Sequence, residues 1–529
     1  MLADCIPFRE THQFSNLICD YLDQKDHLKA FYHRFPTLEN FKQQIEEKQQ
    51  FFSETTRAVL VESLQKQYKG FTISTSTSEN IEALKHHNTF TVTTGHQLNI
   101  FTGPLYFLYK IVSTINLCKQ LKDSYPEYNF VPVYWMASED HDFAEINYFN
   151  FNGKKLVWNR EASGAVGRLD TQGLEEVFEV FSKELEHSEN AETIRDLFKQ
   201  AYLEHHNLAQ ATRFLVNELF AEKGLIILDA DTVELKRVFL PYLKTDIFNN
   251  AAFETVTATN KQLEDYKIQV NPREINIFYL KDNLRERLVF QDGKFSVLET
   301  DIAFTQAEIE QELEQHPERF SPNVIMRPLY QEVILPNLCY IGGGGELAYW
   351  LQLKSFFESQ SVPFPVLLLR NSVLLVTEKQ DEKLKKLNIA YKDIFLNRDR
   401  FINKKVREIS NIDIDFSSQK EHLQQQFETL YQLAEQTDKS FLGAVKAQEV
   451  KQLKGLDHLE KRLLKAQKKK LADEVSRMVD IQNELFPSQS LQERTTNFSV
   501  FYKDYGHTLI NRLFEYQEPL KGEFLVLSL

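Results

Sequence analysis

Glu139-Asp140-His141-Asp142 sets three carboxylates and an imidazole side by side. Such groups can exchange protons with a substrate, hold an ammonium, or bind a metal. Adjacent side chains cannot all turn toward one point, so this run alone does not complete a metal site, and no metal is predicted. A second polar segment, Thr94-Gly95-His96-Gln97, carries a histidine whose ordinary pKa near neutrality suits a general acid or an anion ligand. A packed, purely structural His96 competes with that reading. Lys110 follows roughly two helical turns into the next helix, where a solvated or packing lysine is the plainer reading. A third segment, the four glycines Gly342 to Gly345, precedes Glu346-Leu347-Ala348-Tyr349-Trp350. Glycines ahead of a helix expose N–H groups that can hold phosphate or carboxylate. The run lacks the Lys-Ser/Thr of a phosphate-binding loop and the spacing of a dinucleotide fingerprint. A tight turn that permits close packing is its other reading.

Elements of regular spacing must position these groups. Thr89-Phe90-Thr91-Val92-Thr93-Thr94 is β-branched and stops at Gly95; Gly103-Pro104 then opens a helical run to about Leu121. Phe130 to Ala137 reads as a second buried strand ending in Ser138 and the acidic run. Strand, helix, strand predicts a βαβ unit of a parallel sheet. Gly224 to Leu228, running into Asp229 and Asp231, Leu338 to Ile341, and Phe364 to Leu369 are further strands. In open parallel sheets ligands bind beyond the carboxyl ends of strands, and the polar segments gather at those ends.

The expected organisation is an N-terminal helical layer over residues 1–88, with Phe41, Ile45, Phe51 and Phe52 at helical spacing. A Rossmann-like α/β core follows over 89–416, with antiparallel segments inserted at about 145–168 and 268–305, where Asn152-Gly153 and Asp292-Gly293 mark turns. Leu423, Phe427, Leu430 and Ala434, then Leu456, Leu459, Leu463, Ala466, Leu471, Val475 and Met478, keep to three- and four-residue spacing. They predict an antiparallel coiled coil over 417–486 whose longer helix, from about Asp438 to Leu485, reaches roughly 70 Å at 1.5 Å per residue. Such an arm calls for a second copy, so a homodimer is expected. Gly443 and Gly455 are the places where that helix should weaken. Residues 487–529 should pack back on the core. Lys468-Lys469-Lys470, beside Lys461, Arg462 and Lys465, reads as a solvated helix face, or as a nucleotide phosphate site if it folds against the core.

The formal charge of −14, from 76 acidic and 62 basic side chains, argues against nucleic acid as a partner. Four scattered cysteines form no Cys-x-x-Cys pair and read as core residues. The first residues lack the basic and apolar regions of a secretion signal, and no run of about 18 apolar residues predicts a membrane span. A cytoplasmic protein without membrane contact is expected.

In sequence blocks the chain resembles the bacillithiol biosynthesis cysteine-adding enzymes, the BshC family. The resemblance rests on Thr94-Gly95-His96-Gln97 with Ile100 to Tyr106 and Tyr109-Lys110, and on Pro132 to Phe143. It continues in Ser321 to Val324 with Arg327-Pro328-Leu329, in Tyr340 to Gly343 with Glu346 to Trp350, and in Leu491-Gln492-Glu493-Arg494. The family often carries Gln where this chain has His96 and Pro where it has Gly344. The resemblance implies a Rossmann-like core, a coiled coil that mediates dimerisation, and a ligase joining the cysteine carboxyl to the amine of glucosaminyl-malate as an amide. Glu139, Asp140, His141 and Asp142 are its expected catalytic groups. Thr94, Gly95, His96, Gln97, Thr102, Gly103, Tyr106, Lys110, Ser138, Arg327, Gly342, Gly343, Glu346 and Tyr349 are the expected substrate- or nucleotide-binding residues. Activation as an acyl-adenylate would consume ATP, yet no His-x-Gly-His or Lys-Met-Ser-Lys-Ser signature is present, so the energy source stays open. A metal-dependent hydrolase using Glu139 to Asp142, and a non-enzymatic nucleotide-binding coiled-coil scaffold, are the alternative readings.

Overall fold

The computed structural model describes residues 3–529. Five parallel strands form its central sheet: β1 (Thr89–His96), β2 (Asn129–Met136), β3 (Ile226–Asp229), β4 (Asn337–Gly342) and β5 (Val366–Leu369). Their spatial order is β3-β2-β1-β4-β5, with every neighbouring pair parallel. Strand order therefore reverses between β1 and β4, the topological switch point at which open α/β sheets bind ligands. Nearly every residue of these strands is buried, as a sheet covered on both faces requires. Phe90 and Val92 of β1 share an apolar cluster with Leu117 and Leu121 of helix α1 (Tyr106–Ser124) and with Phe41 and Ile45. Thr91 and Thr93 instead donate to Asn337 Oδ1 at 3.2 and 2.8 Å, which fixes β4 beside β1 by side chain as well as by ladder.

Three helices of the N-terminal layer, Leu38–Phe51, Glu54–Gln67 and Thr75–Ala83, start at Thr37, Ser53 and Ser74. Each of those hydroxyls accepts from a backbone N–H of the first turn. Lys48 of the first helix and Glu332 form a fully buried ion pair at 2.9 Å, and Gln331 and Asn337 also donate to Glu332. The layer is not helical from its start. Ala3–Pro7 is a strand, antiparallel to Glu523–Ser528, which also pairs in parallel with Val373–Val376. Two insertions interrupt the core: the hairpin Tyr148–Phe151 and Lys154–Val157, and an antiparallel sheet built on Ile277–Lys281, Leu284–Gln291 and Lys294–Val297.

The coiled-coil arm joins α3 (Ser417–Ala434) to α4 (Lys439–Lys470), followed by α5 (Ala472–Leu485). The helices run antiparallel: Lys420 bonds Asp457 and Glu460, Tyr431 bonds Glu449, and Ala434 packs with Val445. The single long helix expected from Asp438 to Leu485 is broken at Leu471, whose φ of −105° and ψ of 33° leave the helical region. At 1.5 Å per residue α4 is about 48 Å long rather than 70 Å. Gly443 and Gly455, the expected weak points, both lie inside α4.

Candidate functional site

A cavity of about 880 Å³ opens at the switch point. It is floored by the carboxyl ends of β1, β2 and β4 and walled by the inserted antiparallel sheet. Of the residues singled out by sequence, Gly95, His96, Gln97, Tyr106, Lys110, Glu139, Asp140, His141, Asp142, Arg327, Gly343, Glu346 and Tyr349 line it. Segments some 250 residues apart in the chain thus meet around one space.

Five of the singled-out residues do not line it, and each has a structural task instead. Thr94 Oγ1 donates to the Ile341 carbonyl at 2.7 Å and ties β1 to β4. Ser138 Oγ donates to Asp229 and ties β2 to β3. Thr102, at φ 66°, and Gly103, at φ 61°, form a left-handed turn that Asn497 clamps by donating to the Phe101 and Gly103 carbonyls at 2.7 and 2.6 Å. A Cβ at Gly103 would stand 2.6 Å from Asn99 Cβ, so glycine is required there. Gly342 packs against Tyr340 and Leu347.

Around the glycine run the expected anion cradle is already filled. Glu346, in the first turn of α2 (Gly344–Trp350), folds back so that its carboxylate accepts from the Gly343 N–H at 2.8 Å. The same carboxylate accepts from Tyr340 Oη at 2.7 Å and pairs with Lys110 Nζ at 2.6 Å, while Lys110 also donates to the Gly95 carbonyl. Burial opposes the charge on both partners of that pair. For Glu346, the Lys110 charge and its other donors outweigh burial and hold the carboxyl below its usual range. For Lys110 burial wins, and the ammonium is displaced downward. A second anion at the glycine run would meet the Glu346 charge.

His96 lies among the rings of Tyr106 and Phe107, with Nε2 sealed in and without a hydrogen-bond partner. Burial, and then the Lys110 and Arg370 charges, push its pKa well below the usual histidine value. That displacement favours the neutral imidazole over the imidazolium.

The acidic run divides into unlike environments. Glu139 is ion-paired with the fully buried Lys236, which also donates to the Phe320 carbonyl at 2.7 Å; burial keeps the Glu139 carboxyl above its usual range. Asp140 accepts from Gln97 Nε2 at 2.9 Å and from the His141 N–H at 2.7 Å. Although burial opposes its ionisation, His141, Gln97 and the Arg285 charge hold it well below the usual carboxylate range. His141 Nδ1 meets Arg285 Nη1 at 2.6 Å. Asp142 is exposed on the cavity wall, and among the described residues no hydrogen bond or ion pair engages its carboxylate. Lysine and arginine are thus already set against Glu139 and His141 within the run.

Arg285, Arg273, Arg287, Arg494 and Lys236 are the groups that sequence reasoning missed. The first three belong to the inserted segment and also line the cavity, as do Arg370 and Arg494. Arg370 makes a two-pronged buried pair with Glu493, at 2.7 and 3.0 Å. The Leu491 to Arg494 block, one of the motifs that carry the family resemblance, is the sequence signal that points to this wall. Arg327 lies within 6 Å of the rings of Trp135, Tyr340 and Trp350. Among the described residues, Arg273, Arg287, Arg327 and Arg494 pair with no carboxylate, and they line the cavity together with the free acid Asp142.

Two family models account for the chain. "Bacillithiol biosynthesis BshC, N-terminal Rossmann-like domain" matches residues 1–371, and "Bacillithiol biosynthesis BshC, C-terminal coiled-coil domain" matches residues 373–529. The chain belongs to the BshC family. A relative from Flavobacterium johnsoniae is 58% identical over 529 residues, covering 100% of both chains. One from Christiangramia forsetii is 58% identical, covering 100% of this chain and 99% of its own. One from Bacillus cereus is 27% identical, covering 97% of this chain and 98% of its own. All three bear the name "Putative cysteine ligase BshC". The family match confirms the resemblance and the mixed α/β fold with a C-terminal coiled coil. Among the described residues, no helix is long and apolar enough to cross a membrane.

Proposed function

We propose that the chain is a cysteine ligase that forms an amide between the cysteine carboxyl and the amine of glucosaminyl-malate, the closing step of bacillithiol synthesis. The observation that carries this reading is the charge distribution of the switch-point cavity. Among the described residues, Arg273, Arg287, Arg327 and Arg494 have no carboxylate partner, while Asp142 stands free in the same cavity lining. A malate group brings two carboxylates to such arginines, whose planar forks bind carboxylates in pairs of hydrogen bonds. An amine finds its acceptor at Asp142. As the amine nitrogen attacks an activated cysteine acyl carbon, the C–N bond forms and the leaving group departs with its electron pair. The proton shed by nitrogen passes to the Asp142 carboxylate. A free carboxylate needs activation before it can acylate an amine, and ATP is the cosubstrate proposed for it. The engaged Gly343 N–H gives no basis for seating a nucleotide phosphate on the glycine run.

The reading also places the chain in the cytoplasm as a homodimer joined through residues 417–486. Leu433, Phe441, Leu442, Val450 and Leu459 of that arm are exposed apolar side chains, which a second copy would cover. Mass spectrometry of the purified protein with both substrates, with and without ATP, is the test. Bacillithiol appearing in either arm supports the reading and the ATP comparison assigns the energy source; no product in both arms refutes it. Sedimentation equilibrium should give twice the chain mass of 62.1 kDa.

A further inference from the structure

His141 and Asp142 are neighbours on one turn, and the structure gives them opposite hydrogen-bonding characters. Arg285 sets that difference. Its guanidinium is buried and lies over the Phe278 ring at 4.0 Å, with Nε donating to Ser321 Oγ at 3.1 Å. Two further anchors on the same group fix its remaining edge: Nη2 points at the Pro322 carbonyl at 3.4 Å, and Nη1 reaches His141 Nδ1 at 2.6 Å. A guanidinium has five N–H donors, no acceptor, and does not lose its proton in proteins. The nitrogen that faces it must therefore be bare. Asp140 Oδ1 stands 3.7 Å from the same nitrogen, beyond a normal hydrogen bond and more than 1 Å farther than Arg285 Nη1. The imidazole ring itself packs against Phe278 at 5.4 Å, so the same aromatic residue orients both partners.

We propose that Arg285 is a positioning residue that locks His141 as the neutral tautomer with its proton on Nε2, making it a hydrogen-bond donor to the substrate and not the base of the reaction. With Nδ1 held by Arg285, the ring's other nitrogen is the one left to serve the cavity that His141 lines. A fixed N–H in that place suits an oxygen of the reacting acyl group, on which negative charge grows as the amine adds. The base role falls to Asp142. The Glu139, Asp140, Asp142 and Asp231 carboxylates favour the charged guanidinium of Arg285 against its burial, and Lys236 pairs with the first of them. The donor role rests on this cavity being the reaction site, whereas the tautomer does not.

Long-range 1H–15N spectra of the full-length protein labelled at histidine, with His141 assigned by its absence in H141Q, read the tautomer without any turnover. Wild type, observed in its neutral form, should show a bare Nδ1 and a protonated Nε2. In R285M the His141 signals should average between the two neutral tautomers. In the ligase assay R285M should lower kcat by about 10–100-fold, as loss of a group that orients a functional imidazole does, with KM little changed. A protonated Nδ1 in the wild-type spectrum overturns the proposal, and needs no variant to fold. An R285M spectrum identical to wild type also overturns it. Should no ligase activity exist at all, the wild-type spectrum still decides the tautomer, and the failure then belongs to the functional reading.

Discussion

Removing Glu493 should cost the protein several kilocalories, because it strands a buried cation. Arg370 and Glu493 are 3% and 1% exposed, and they meet through two N–H···O bonds of 2.7 and 3.0 Å. Glu493 also accepts from the Val373 N–H at 3.2 Å and from Ser372 Oγ at 3.3 Å. In Glu493→Ala the guanidinium keeps its bonds to the Asn371 carbonyl and Ser372 Oγ, at 2.9 and 3.1 Å, but loses every anionic contact. Breaking a buried pair from one side costs about 3–5 kcal/mol. The same principle makes the pair itself nearly worthless against a packed apolar substitute, so the double variant R370M/E493L should fall within about 1 kcal/mol of wild type. Urea unfolding followed by the fluorescence of Trp135, Trp158 and Trp350, all in the N-terminal domain match, reads both quantities. The reasoning fails if E493A costs less than about 1 kcal/mol, or if the double variant is as damaged as the single one.

Three further outcomes follow from groups with a clear physical cause. Glu346→Gln leaves Lys110 buried without its counter-charge, so its already lowered pKa should fall further; the stability loss, about 3 kcal/mol at pH 6, should shrink toward pH 9 as Lys110 sheds its proton, and pH-dependent denaturation checks it. Asp246, buried against Asn276, has its carboxyl pushed up from 3.8 to about 6 by desolvation. Its folded form holds the proton more tightly, so its contribution is complete below about pH 4 and lost as pH rises through 6. Wild type should lose up to about 3 kcal/mol relative to D246N across that window, and parallel stability curves for the two proteins would refute the assignment. Gly455→Ala should stabilise the arm by about 0.5–1 kcal/mol, since an added Cβ meets nothing within 4 Å and alanine favours the helix; circular dichroism melting measures it.

Local chemistry made part of this molecule legible from sequence. The Thr-Phe-Thr-Val run of β1 and the acidic turn after β2 announce themselves within ten residues, because a strand's period and a polar strand end are local properties. Strand order is not. Asn337 finds Thr91 and Thr93 across about 245 residues, and the β1–β4 pairing these bonds belong to sets the glycine run beside Gly95. Arg285 and Lys236 sit in segments without a motif and gain meaning from the long-range contacts of the inserted sheet and of the helix after β3. Glu346 shows a different limit: the glycines suggested an empty cradle, while the residue that fills it lies three positions on and needs a folded turn to reach back. In the arm, glycine composition pointed to the wrong breaks, since exposed helix tolerates glycine at a small cost and the interruption falls at Leu471 where α5 begins to pack on the core.

The strand at Glu523–Ser528 lies between Ala3–Pro7 and Val373–Val376 and pairs with both. Its consequence is one of timing. On the ribosome, where domains emerge at about 5–20 residues per second, the strand near the N-terminus waits roughly half a minute to nearly two minutes for its partner. Glu493, which holds Arg370, and Arg494 at the cavity wall emerge in the same late stretch of chain. A nascent chain can thus pair its five parallel strands, the last ending at Leu369, well before Glu493 and Arg494 emerge to complete the cavity wall. Truncated or stalled products should accordingly be inert, with an unpaired strand edge exposed to chaperones.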